Sequence, residues 1–284
     1  MTPSSFPKYE ISNKPRAVQS TFGYRTRPKP PSNLSIRRLL IADAIGQIHQ
    51  ESRGTYGYRR VHAALRIERD VTVNHKLVAA VMAEMGLSGL PRRKSRKRNL
   101  ITVRTSSDLV NRNFTATAAN QLWVTDITEH PTKEGTVYAC VVLDVFSRKA
   151  VGWAVDRRPE TSLVNSALFM AHSTRRPAVG GIIHADHGPQ FTAWAFTQRV
   201  EQFGLRLSLG TIGDCYDNAM IESFWGRMQV ELLNRQKWSS IVELSTAMVD
   251  YIDSFHNEKR RHSSLDMLTP TEYETKHAPT LQLM

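Results

Sequence analysis

The run TVYACVVLDVF, residues 136–146, constrains the fold more than any other segment. It is almost unbrokenly apolar yet far shorter than the roughly 20 residues a membrane-spanning helix needs. A β-branched run of this kind reads as a strand buried on both faces, which requires a sheet covered on both sides. LWVTDITEH precedes it and KAVGWAVDR follows, both through tight links, so the three are expected as an antiparallel meander. ETSLVNSALFMAHS then reads as a helix, GGIIHADHG as a short strand, TAWAFTQRVEQFG as a helix and LRLSLG as a strand. Two more helices follow, one carrying DNAMIESFWGRMQVEL and one from about Ser239 to His256. That order describes an α/β fold, a mixed five-stranded sheet with flanking helices.

The other end of the chain has a different texture. Residues 1–120 carry 22 Lys and Arg against 7 Asp and Glu, whereas residues 121–284 carry 16 against 19. The whole net charge of +12 therefore comes from the first part, and such a basic arm attracts a polyanion, nucleic acid above all. Residues 1–34 are rich in Pro, Ser and basic residues and read as a flexible basic segment. Residues 35–90 hold three helical patterns. The first has Ile36, Leu39, Leu40, Ala44, Ile45 and Ile48 as its apolar stripe. The second buries Val61, Ala64 and Leu65 after Gly54 and Gly57. The third starts at an Asn74 cap, turns Val78, Val81, Met82 and Met85 inward and stops at Gly86. Three short helices with a tight turn before the last suit a helix-turn-helix. Arg59, Arg60, His75 and Lys76 are then candidates for DNA contact. PRRKSRKRN opens a basic linker, residues 91–117, in which Arg92, Arg93, Lys94, Arg96, Lys97 and Arg98 would lie along phosphates. The catalytic part spans 118–276, with a tail at 277–284.

The N-terminus lacks the apolar stretch of a signal peptide, so a cytoplasmic protein with no membrane partner is expected. Two cysteines, Cys140 and Cys215, exclude a disulfide framework and a thiolate-built zinc site.

Three acidic residues occupy odd positions in the second part. Asp126 falls in mid-strand, where a carboxylate is costly unless something positive meets it. Asp186 comes at the carboxyl end of the IIHAD strand, where sheets with helices on their faces place ligands. Glu222 projects from a helix whose neighbouring face, Ile221, Trp225, Met228 and Leu232, packs into the core. Two strands and a helix can bring these carboxylates together, and hard divalent cations are held by such oxygens. Taken singly, each has a plain structural reading as a cap, a turn former or a solvated side chain.

WVTDIT, HADHGPQF and DNAMIESFW together resemble the catalytic motifs of the DDE transposases and retroviral integrases. The 35 residues between Asp186 and Glu222 are the spacing of that superfamily. GTYGYRRVHAAL and YIDSFHNEKRRHSSLDMLTPTEYE narrow the resemblance to the bacterial insertion-sequence-three family, over about residues 35–275. The resemblance implies a ribonuclease-H-like core in which Asp126, Asp186 and Glu222 are catalytic and bind Mg²⁺, two ions, with Mn²⁺ able to substitute. It implies cleavage of the ends of a transposable element by water and attack of the freed 3′-hydroxyl on a second phosphodiester, without a covalent protein–DNA intermediate. The expected partners are double-stranded DNA, as terminal inverted repeats and target, and further copies of the chain, at least a dimer in synapsis. A fusion with an upstream-frame protein and association with the nucleoid are expected too.

Around the acidic trio, Asn218, His184, His187, Gly188 and Gln190 are candidates for supporting the ligands or touching DNA. Lys259, Arg260 and Arg261 of KRRHSS are candidates for gripping its backbone. Ala185, His187, Phe191 and the histidine of FHN, His256, depart from residues common among relatives. The zinc module of integrases proper is absent. Two rival readings share the fold: a catalytically silent DNA-binding regulator and a nuclease that does not join ends. A zinc hydrolase built on His184 and His187 is disfavoured by the three oxygens.

Overall fold

A computed structural model of the chain describes residues 32–91, 109–110, 114–210 and 219–278. The chain separates into two compact units, Met1–Ile41 and Ala42–Met284. The described residues of the first include the opening turns of helix α1 (Asn33–Glu51), where Leu39 and Leu40 are 66% and 59% exposed. The apolar stripe expected there is thus inward only later, at Ile45 and Ile48. Within the first unit the described residues supply nothing for Ile36, Leu39 and Leu40 to pack on.

In the second unit, α2 (Tyr58–Glu68) buries Val61, Ala64 and Leu65, and α3 (His75–Glu84) buries Val78, Val81 and Met82. The Asn74 side chain accepts the Lys76 N–H and caps α3, and Gly86 takes φ +68° just beyond its end. Met85 is exposed rather than inward, because it is the C-cap residue where the chain is already leaving the helix.

The sheet has five strands in the order β3-β2-β1-β4-β5. Strands β1 (Leu122–Thr132), β2 (Gly135–Asp144) and β3 (Ala150–Asp156) form the antiparallel meander. Strands β4 (Ile182–Ala185) and β5 (Arg206–Leu209) add to it in parallel. One face carries Trp123, Cys140, Val142, Ile183 and Ala185, packed with Leu163, Ala167 and Leu168 of α4 (Thr161–Arg175). Phe191 of α5 (Pro189–Thr192) and Phe196 and Val200 of α6 (Trp194–Gln202) complete that core. Helix α4 lies so close to β3 that a Cβ at Gly152 would meet the Ala167 carbonyl oxygen at 2.3 Å. Only glycine permits that approach. Cys140 is wholly buried on this face, as an ordinary core residue, and Cys215 lies outside the described residues.

The opposite face is covered by α7 (Ala219–Glu231), packed on β1, and α8 (Ile241–Asp250), packed on β2. A π-helical stretch, Tyr251–Asn257, continues α8. It delivers Asn257 to the outer edge of the sheet, where the side-chain amide accepts from the Ala150 N–H and donates to the Ala150 carbonyl. This pairing satisfies an edge strand where no sixth strand does. The last helix of the described residues is α9 (Pro270–Lys276), opened by a Thr269–Glu272 capping box with Pro270 in its first turn. No helix among the described residues is long and apolar enough to cross a membrane.

Candidate active site

Register decides where the carboxylates meet. Parallel pairing sets Leu122 against Ile182, Trp123 against Ile183 and Val124 against His184. Continued by two residues, the same register puts Asp126 level with Asp186, just past the end of β4. Side chains alternate along a strand, so Asp126 shares the face of Val124, opposite Trp123. That is the face of α7, and the first turn of α7 carries Glu222. Ile221, Trp225 and Met228 dock this helix on the core and leave Glu222 outward, with open space at Gly226 one turn on.

Electrostatics records the convergence. Burial pushes the Asp126 carboxyl up to about 7; the charge of Asp186, and more weakly that of Glu222, adds to the effect. The Ile127 backbone and the Trp225 indole offset only part of it. Although its ring is turned toward Asp126, Trp225 makes no hydrogen bond of good geometry, and its buried Nε1–H has no partner. Burial also raises the Glu222 carboxyl. No salt bridge to Asp126, Asp186 or Glu222 forms among the described residues. This is a pocket of negative charge short of a cation. No three His, Cys, Asp or Glu among the described residues are gathered tightly enough to cage a metal ion by themselves. A hard ion that keeps most of its water needs only one or two carboxylates, so the all-oxygen donor set still fits one.

The turn after β4 is built around Asp186. Its Oδ1 accepts the Gly188 N–H at 2.9 Å, and a Cβ at Gly188 would press on that same oxygen. Gln190 donates to the Pro159 carbonyl at 2.7 Å, and His187 Nδ1 contacts the Gly210 carbonyl. These three residues hold the loop, while His184 is placed apart from it. His184 is 1% exposed, with Nδ1 at 3.0 Å from Ser208 Oγ and its ring edge-on to Phe114. It is an interior residue of the sheet and does not reach the surface where DNA could touch it.

The basic candidates divide as well. Arg59, His75, Lys76 and Lys259 are exposed. Arg60 is half-buried and donates Nε–H to the Arg261 carbonyl. Arg260 and Arg261, expected as surface residues that grip the DNA backbone, are instead 2% and 1% exposed and engaged inside the chain. Arg260 forms a two-pronged ion pair with Glu231 at 2.7 and 2.8 Å, and Tyr251 donates to the same carboxylate. Arg261 pairs with Glu68 and Glu272. The physical reason is that α7 presents the buried Glu231 to Arg260, while Glu68 of α2 and Glu272 of α9 meet Arg261, and charges that leave water need partners. Asn218 and Arg92, Arg93, Lys94, Arg96, Lys97 and Arg98 lie outside the described residues.

Sequence reasoning missed two residues near this site. Trp225 was assigned to the core alone, although its place one turn after Glu222 signals the same neighbourhood. Arg148 gave no signal, because only the folded β2–β3 turn brings it beside α7.

Residues 116–215 and 203–270 each match a family model described as an integrase core domain, and residues 36–95 match one described as an HTH-like domain. The transposase for insertion sequence element IS904 of Lactococcus lactis is 35% identical over 86% of this chain and 97% of its own length. The transposase for IS629 of Shigella sonnei is 36% identical over 81% of this chain and 77% of its own. A putative transposase of IS150 from Escherichia coli is 29% identical over 95% and 94%. Among solved structures, the catalytic core domain of HTLV-2 integrase aligns with 56% of this chain and 98% of its own, at 17% identity and a TM-score of 0.42.

Proposed function

This chain belongs to the insertion-sequence-three family of transposases, enzymes with an integrase core, and from that premise we propose how its residues divide the work. The protein is a DNA transposase, a polynucleotidyl transferase that frees a 3′-hydroxyl at an element's end and joins that end to a second phosphodiester, whose own 3′-oxygen leaves. Chemistry of this class depends on divalent metal. Asp126, Asp186 and Glu222 would hold the metal, Mg²⁺ in two ions, with Mn²⁺ as a substitute. When bound, the ions activate the attacking oxygen and stabilise the leaving one.

The chain's own contributions are positioning and charge. The β1–β4 register holds Asp126 and Asp186 side by side. The Gly188 N–H occupies one oxygen of Asp186 and so aims the other outward. Docking of α7 through Ile221, Trp225 and Met228 brings Glu222 up from the helix side. The single observation that carries this assignment is the charge of Asp126, disfavoured by burial and by both other carboxylates with no cation among the described residues to answer it.

Exposed Arg59, His75, Lys76 and Lys259 would meet DNA phosphates or base edges, and Arg92, Arg93, Lys94, Arg96, Lys97 and Arg98 would follow the backbone. The helix-turn-helix of residues 35–90 would recognise the terminal repeats, the linker would extend over 91–117, and the core over 118–276 would carry out chemistry. Synapsis of two ends requires at least a dimer. Full activity would come from a fusion with the upstream frame, acting on the nucleoid in the cytoplasm.

The test is a plasmid carrying the element with the upstream frame fused, scored in cells for joined element ends, wild type against Asp186→Asn. Loss of joined ends at unchanged protein level supports the assignment. Joined ends at the wild-type frequency would remove Asp186 from the site.

A further inference from the structure

Beside the acidic trio lies a cavity of the opposite sign. It measures about 120 Å³ and opens along the first two turns of α7, lined there by Met220, Ser223 and Arg227. Ser223 follows Glu222 directly, so this face of the helix is turned about 100° from the carboxylate. Arg60 from α2, Arg148 from the β2–β3 turn and Arg260 from the C-terminal segment converge on it, and Ser263 and Ser264 close its rim. Among the described residues, no Asp or Glu lines it.

Four guanidinium groups do not gather without cause. The acid nearest them, Glu231, is consumed by Arg260 and Tyr251. Neither Arg60 nor Arg148 has a salt bridge among the described residues. Burial and the nearby charges of Arg260 and Arg227 lower the Arg60 guanidinium to about 10, and the charge of Glu231 offsets only part of this. Arg148 is also held in place at a cost. Its φ of +62° lies in the left-handed region, uncommon for a side chain of this kind. Its N–H donates to the Asp144 carbonyl at 2.8 Å, and its own carbonyl meets His256 Nε2 at 2.9 Å. The backbone is fixed so that the side chain enters the cavity.

We propose that this cavity is an anion site that takes one backbone phosphate of the DNA strand lying beside α7. A cavity of about 120 Å³ has room for a tetrahedral oxyanion. Guanidinium forks and serine hydroxyls are the donors such an oxyanion needs. One phosphate fixed on one flank of α7 would set the register of the strand against Glu222 on the adjoining flank. The proposal rests on the transposase reading for the identity of the anion, while the cavity could equally hold a free phosphate ion by the same chemistry.

The experiment compares the full chain with Arg148→Gln and, as a conservative control, Arg148→Lys. Binding to a short duplex of arbitrary sequence is measured against salt, and melting temperature against inorganic phosphate. The expected result is a salt slope smaller by about 0.9, the contribution of one phosphate contact, in Arg148→Gln, with partial recovery in Arg148→Lys and an unchanged melting temperature without phosphate. An unchanged slope in a folded Arg148→Gln overturns the proposal, as does failure of the wild type to bind the duplex. Stabilisation by inorganic phosphate that Arg148→Gln abolishes, with no change in slope, makes the cavity a site for a free oxyanion and also overturns it. Joined ends in cells are scored separately, so failure of the transposase reading is distinguishable from failure of this site.

Discussion

Glu222 and Glu231 sit near opposite ends of α7, and the helix uses them in opposite ways. Glu231 is buried, and its two oxygens accept three hydrogen bonds, two from Arg260 and one from Tyr251. The Arg260 ion pair and hydrogen bonds outweigh the cost of burial and hold its carboxyl below the usual range. Glu222 is exposed toward Asp126 and Asp186, has no salt bridge among the described residues and is shifted the other way. A carboxylate that has all its partners inside the chain is part of the fold. One set beside like charges with none is kept for something that binds.

That contrast can be broken at either end. The largest effect is expected at the unpaired end: Asp126→Asn should lower joined ends on the order of 10³-fold, the scale of losing a preorganised electrostatic partner. Melting temperature should hold or rise, because the substitution removes a charge the fold disfavours. A fall in melting temperature that accounts for the lost activity would make Asp126 structural.

At the paired end, Glu231→Ala leaves Arg260 buried without its counter-ion and should destabilise the chain by about 3–5 kcal/mol. Chemical denaturation measures it. A loss under about 1 kcal/mol would mean the pair is exchangeable for water.

Acid probes the same neighbourhood more gently. His256 and His262 pack at 5.0 Å beside Arg260, Arg148, Arg60 and Glu231. Burial lowers His256 to about 4 and His262 well below its ordinary value, and the nearby arginines push the same way. Both imidazoles are therefore neutral in the folded chain, while the unfolded chain takes up protons below about 6.5. Their contribution to stability is complete above that pH and is lost as pH falls toward 4, by about 2 kcal/mol between pH 7 and 5 for His256 alone. Glu231, with its lowered carboxyl, loses its contribution only below about 4.5, so the two windows separate. Denaturation midpoints that stay flat from pH 7 to 5 would contradict this. The smallest change is expected from Thr269→Ala, which opens the capping box of α9 and should cost about 1 kcal/mol.

The sheet was legible in the sequence because its signals are local. An unbroken apolar run, tight links and alternating strand and helix patterns name each element, and the Thr269 and Asn74 caps can be read directly. The acidic residues were legible as oddities, a charge in mid-strand and one at a strand's end, while their meeting depends on the β1–β4 register, which no local pattern contains. Arg260 and Arg261 misled for the complementary reason. KRRHSS reads as a basic run free to grip DNA, and only the tertiary fold reveals Glu231, Glu68 and Glu272 waiting for it. The stripe of α1 holds at Ile45 and Ile48 but not at Leu39 and Leu40, because periodicity states which face is apolar and not whether anything covers it.

The most direct test of the central claim is Glu222→Gln, which keeps shape and removes only the charge that sets this end of α7 apart. Joined element ends are counted in cells and melting temperature is measured on the purified chain. The account predicts that joined ends disappear while the melting temperature stays within about 1 °C of wild type, as expected for an exposed side chain. Joined ends at the wild-type frequency would contradict it and return Glu222 to the ordinary surface of the helix.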